Sequence, residues 1–223
     1  MTSNEQSGSG NGQNRTYSSS LRFWHWANAI VITGSLLTVL INSTLLKGWT
    51  LATFISGELK KSGVTVTDDV ARSVSHGLRD RVWDFHVYFG YGIIALLLFR
   101  LVTEFAGLTD KKLSRKSADY YRQYKSGQNK LIARGELFVK SLYAIFYLIL
   151  IIMAITGLCL VFEDDVPALH KMHFIREIHE FSMYLVLGFL FLHIAGVYLA
   201  ERKDKPGIVS DMINGGSKKQ DKQ

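Results

Sequence analysis

Four histidines fall where a ring nitrogen could hold a redox metal inside a membrane: His25, His86, His179 and His193. Each lies within or at the end of a long apolar segment. An ionisable side chain is costly in hydrocarbon, so histidine there marks a function rather than packing. Two neutral imidazoles, one on each side of an iron, make the ligand set of a bis-histidine haem. Four histidines that can be paired by depth therefore point to two stacked haems and a metal-centred electron path.

The segments that must position them are set out by the charge pattern. From Phe23 to Leu46, from Ser141 to Phe162 and from Phe181 to Ala200 there is no Asp, Glu, Lys or Arg. A fourth stretch, Phe85 to Phe99, is equally free of charge and continues through Arg100 to Val102 and Thr103. A bilayer core needs about 20 mostly apolar residues in helix. Three segments meet this outright, and the fourth meets it when Arg100 reaches back to the headgroups. The expected fold is all-α, an integral membrane four-helix bundle holding two haem b groups, with spans near residues 22–46, 82–105, 137–162 and 173–200. Residues 1–20 are rich in Ser, Gly, Asn and Gln and read as a disordered tail, 21–205 as the dihaem domain and 206–223 as a cytoplasmic tail. The first apolar run begins only at Leu21 and is long enough to span, so it reads as a retained helix rather than a signal peptide.

Depth decides the pairing. His25 is near the start of the first span, and His86 is near the start of the second, which runs the opposite way. The fourth span runs parallel to the second, with His179 near its outer end and His193 14 residues further in. That separation is roughly 21 Å at 1.5 Å per residue, too far for one iron. Only His25 with His193, and His86 with His179, match in depth. Fourteen steps of about 100° return to within roughly 40° of the starting azimuth, so His179 and His193 face the same way. A haem edge also needs small residues beside it. Gly90 lies four residues after His86 on the same face, and Gly34, Gly92, Gly157, Gly188 and Gly196 lie in the spans. Zinc asks for four ligands in one tetrahedron, whereas these four divide between two depths. The remaining histidines, His76, His170 and His173, read as surface residues, and Cys159 as packing. With one cysteine there is neither an intrachain disulfide nor a Cys-x-x-Cys-His for covalent haem.

The net charge of +7 is topological rather than a nucleic-acid signature. Lys and Arg number 2 in residues 1–22, 8 in 107–135 and 6 in 201–223, against 6 in 47–81 and 2 in 163–176. The positive-inside rule then puts both termini in the cytoplasm of a cell inner-membrane protein, with anionic lipid headgroups as the partner of the basic excess. In the long outer loop 47–81, Thr67-Asp68-Asp69-Val70 resembles a helix N-cap, which predicts a short surface helix over about 68–80 forming a lid. The inner loop, with Lys111, Lys112, Arg115 and Lys116 before Tyr120, Tyr121 and Tyr124, reads as an interfacial segment. The tail after Ala200 reaches Pro206, which should end the last helix.

The segment Leu21-Arg22-Phe23-Trp24-His25-Trp26, the pattern of His86 with Gly90, and His179 followed 14 residues later by His193 resemble the prokaryotic cytochrome b561 and nickel–iron hydrogenase b-type cytochrome family. The tail Ile208-Val209-Ser210-Asp211-Met212-Ile213-Asn214-Gly215-Gly216 resembles the tail of the hydrogenase branch, and the likeness covers roughly residues 20–216. It implies a four-helix protein with two haem b groups that passes electrons between a partner oxidoreductase and the membrane quinone pool. The four histidines match the family's ligand positions one by one.

The leading expectation is thus a respiratory electron carrier whose partner is a peripheral or membrane-anchored, hydrogenase-like subunit. A second is a free-standing quinone oxidoreductase acting on superoxide or another small outer-side reductant. A third, from a different class, is a haem-free metal or proton transporter. Arg22, Trp24 and Trp26 are candidates to contact the haem beside His25, with Arg22 read rather as a headgroup anchor. Arg100 and Glu104, four apart at the inner end of the second span, read as an ion pair and otherwise as groups that serve protons to quinone.

Overall fold

The computed structural model describes residues 17–105, 130–170, 172–203 and 207–216. Among them are seven helices and no strand: α1 (Ser19–Thr44), α2 (Gly48–Lys61), α3 (Asp68–Phe105), α4 (Lys130–Val161), α5 (Pro167–His170), α6 (Phe174–Lys203) and α7 (Ile208–Asn214). Four stretches are long and apolar enough to cross a membrane: Ser19–Thr44, Asp68–Thr103, Lys140–Val161 and Phe174–Lys203. The chain divides into two units, one of residues 1–25 and 192–223, the other of residues 26–191.

In the larger unit the four spanning helices share one core. Ile32 of α1, Ile93 and Leu97 of α3, Phe146 and Leu150 of α4, and Val186 of α6 are buried together. Phe146 stacks on Phe189, ring centres 4.0 Å apart, which ties α4 to α6. The outward faces carry exposed apolar side chains such as Leu98, Phe181 and Leu187, as lipid contact requires. Polarity runs the other way. Asn28, Ser35, Thr38 and Asn42 lie on one stripe of α1 and are all buried. Lipid offers no hydrophobic drive between helices, so buried polar groups and close packing hold them together. The close packing is visible where α1 meets α3. A Cβ added at Gly34 would lie 2.5 Å from Cζ of Phe89, and one at Gly92 would lie 3.2 Å from Val31 Cγ1.

The outer loop differs from the reading of the sequence. Thr67 does cap a helix, its hydroxyl accepting the Val70 N–H at 3.4 Å, with Asp68 and Asp69 in the first turn. That helix does not stop near residue 80. It continues unbroken for 38 residues as α3, about 57 Å at 1.5 Å per residue. No proline interrupts it, and Gly77 alone costs only about 1 kcal/mol relative to Ala. The helix proper to the loop is α2, which packs against α3 and which the sequence reading missed. Ser75 of α3 donates to the Gly48 carbonyl at 3.2 Å, and Arg72 lies over the Trp49 ring at 5.3 Å. Lys60 and Lys61 stand in the last turn of α2, where cations suit the carbonyl end, and Gly63 turns the chain away at φ +81°.

At the start of the chain Ser18 caps α1, its hydroxyl accepting the Leu21 N–H at 3.4 Å, so the helix begins two residues inside the expected tail. Residues 1–16 of that tail, the basic and tyrosine-rich loop from Lys111 to Tyr124, and Pro206 lie outside the described residues.

Candidate functional site

The two histidine pairs are built from three helices. In the larger unit α3 carries His86 and α6 carries His179, and their ring centres are 6.3 Å apart. In the smaller unit α1 carries His25 and α6 carries His193, with ring centres 6.1 Å apart. A metal–imidazole bond of about 2 Å on each side, plus the half-width of each ring, sets opposing ring centres roughly 6 Å apart. Both pairs fit that span. Neither ring pair is stacked: the planes cross at 79° in the first and 52° in the second.

The free nitrogen of each ring in the larger unit is fixed by a hydroxyl. Thr156 on α4 donates to the Ile152 carbonyl at 2.7 Å, one turn back in its own helix. Its single proton is then spent, so at 2.9 Å from His179 Nδ1 it accepts the ring N–H. Thr38 on α1 repeats the arrangement. It donates to the Ser35 carbonyl at 2.6 Å and stands 3.0 Å from His86 Nδ1, with Ser35 Oγ at 3.3 Å. A proton held on Nδ1 leaves the Nε2 lone pair for a metal, the usual division of labour in a ligating histidine. Trp83, three residues before His86, sets its ring edge-on to the imidazole at 5.3 Å. None of these supports was read from the sequence. The available signal was hydroxyl residues inside spans otherwise made of Leu, Ile and Phe.

Space for a flat macrocycle lies beside the first pair. A cavity of about 790 Å³ is lined by His86, His179, Gly90, Met153, Gly157 and Met183 among others. That falls within the ~300–1,000 Å³ typical of cofactor and ligand sites. A Cβ built at Gly90 meets nothing within 4 Å, so the glycine borders open space on the His86 face. A Cβ at Gly157 would come within 3.1 Å of His179 Cε1, so that glycine lets the imidazole lie close against α4. Two imidazoles with ring centres about 6 Å apart, beside such a cavity, suit a haem iron. Among the described residues no three His, Cys, Asp or Glu gather as a metal cluster.

The other candidates fall as follows. His76 and His173 are exposed, Cys159 is half-buried, and the His170 side chain lies outside the described residues. Arg22 donates to the Ile213 carbonyl of α7 at 2.7 Å, a contact the sequence reading did not foresee. Glu104's side chain is outside the described residues, and Arg100 is half-buried. Glu163 pairs with Arg176 at 3.2 Å, and both border the cavity.

A family model described as prokaryotic cytochrome b561 matches residues 16–215. No curated protein and no solved structure gives a match.

Proposed function

Because the chain belongs to the prokaryotic cytochrome b561 family, it is a multi-pass membrane b-type cytochrome of electron transfer, and we propose that it binds two haem b groups and links a partner oxidoreductase to the quinone pool. One haem belongs to His86 and His179, the other to His25 and His193. What supports the reading is the twofold recurrence of imidazole pairs with ring centres about 6 Å apart. When bound, a haem b iron supplies one-electron chemistry between its ferric and ferrous states.

The chain's own residues do the rest. The imidazoles of each pair would hold the iron. Thr38 and Thr156 keep the Nδ1 protons of His86 and His179 in place. The apolar walls of the cavity, Leu36, Val39, Ile94 and Leu158, keep water from the macrocycle. The protein sits in the cell inner membrane with both termini in the cytoplasm, a placement that rests on the Lys and Arg excess of the loops on that side. The partner is a hydrogenase-like subunit, and the substrate on the lipid side is quinone.

Quinol added anaerobically to the oxidised, detergent-purified chain is expected to give the reduced b-type spectrum, and quinone to reverse it. If neither exchange occurs while dithionite reduces the same sample, the quinone role is wrong though the cytochrome stands. Thr38→Val and Thr156→Val each delete a hydroxyl that accepts an Nδ1–H. Loss of such outer partners costs about 10–100-fold in metal affinity. Both variants are expected to release the same haem faster to a haem-free acceptor protein, and to leave the second in place. Release of different haems by the two would contradict the assignment.

A further inference from the structure

The smaller unit contains a contact set that the electron-transfer reading does not use. Helix α7 has seven residues, Ile208–Asn214. So short a helix has little stability of its own, since nucleation is unfavourable and helices under about 12 residues are marginal in water. It is held at both ends. Glu201, near the end of α6, accepts the backbone N–H of Gly207 at 2.8 Å and of Val209 at 3.2 Å. Arg22, in the first turn of α1, donates to the Ile213 carbonyl at 2.7 Å. The carboxylate thus meets the amide end of the short helix and the guanidinium meets its carbonyl end, the favourable sense at both termini.

Glycines make the two turns. Gly207 and Gly215 stand at φ +86° and +93°, in the left-handed region that side chains rarely adopt. At Gly215 space adds a second demand, because a Cβ there would lie 3.2 Å from Arg22 Cζ. The helices so joined are the two that carry His25 and His193. Arg22 stands three residues, nearly one turn, before His25, and Glu201 stands eight residues after His193.

We propose that α7 is a clasp, with Arg22 and Glu201 as positioning residues that hold the ends of α1 and α6 at the spacing the His25–His193 haem requires. The clasp acts by limiting how far the two helix ends can part, and so how far the ring nitrogens can retreat from an iron between them. The inference rests on the haem reading, and the test separates the two.

The full-length chain would be prepared as Arg22→Ala, Glu201→Ala and Gly215→Ala, with Arg22→Lys and Glu201→Gln as conservative variants and His25→Ala as reference. Haem transfer to a haem-free acceptor and the low-spin signal of each haem are the readouts. The Ala variants are expected to release one haem about ten-fold faster, as for other lost outer partners, and that haem should be the one missing in His25→Ala. The Lys and Gln variants, which keep a donor and an acceptor, should recover most of the retention. The haem on His86 and His179 serves as the internal measure of folding and should be unchanged. Equal retention of both haems in every clasp variant overturns the proposal. So does loss of both together, which would make the segment a general prop. If His25→Ala itself keeps two haems, the ligand assignment fails, and with it the basis of the clasp.

Discussion

His86→Ala and His179→Ala are each expected to lower the haem content from two per polypeptide to one, and to remove the same haem. The two ring centres lie 6.3 Å apart on α3 and α6, so under the proposed ligation either substitution would leave an iron with one protein ligand. The lost haem should be absent from the low-spin signal in both variants, and the double variant should look like either single one. His25→Ala and His193→Ala should remove the other haem and leave the first spectrum intact. Non-additivity within a pair, with additivity between pairs, is what shared ligation requires. Difference spectra and pyridine haemochrome counts on the four variants would check it. Removal of different haems by His86→Ala and His179→Ala would break the pairing.

The second large effect comes from filling space rather than removing a ligand. Gly90→Leu places a side chain where a Cβ meets no neighbour, in the wall of the cavity beside His86. In a helix the change from glycine favours folding by roughly 0.5–1 kcal/mol. The fold is therefore expected to survive, with thermal unfolding in detergent unchanged or slightly raised once the comparison is made between haem-free samples. The haem of His86 and His179 should be excluded and the other retained. A Gly90→Leu chain that still binds two haems would mean that the macrocycle does not occupy this cavity.

Much of this architecture was legible because the membrane imposes simple rules. Runs free of charge marked the spans, and the order of the spans assigned a depth to each histidine. His179 and His193, 14 residues apart, had to face the same way because of the helical repeat alone. The structure puts each of those rings opposite the depth-matched partner. What escaped the sequence reading has a common cause: it depends on which neighbour a residue meets. Thr38 and Thr156 look like ordinary span residues until His86 and His179 stand beside them. Arg22, next to an aromatic run at a membrane edge, read as a headgroup anchor, yet the carbonyl of Ile213 lies 191 residues away in sequence. The outer helix expected over about 68–80 runs on instead, because the change from polar to apolar composition near residue 80 is not a break. Backbone hydrogen bonding needs no such change, and α3 passes through it.

The most direct test of the central claim is the haem stoichiometry and ligation state of the detergent-purified chain, from a reduced-minus-oxidised spectrum together with electron paramagnetic resonance of the oxidised form. Two haems of b type per polypeptide, both low-spin with bis-imidazole signals, is the predicted result. A single haem, a high-spin site that keeps an open position, or a folded chain that takes up no haem would contradict it.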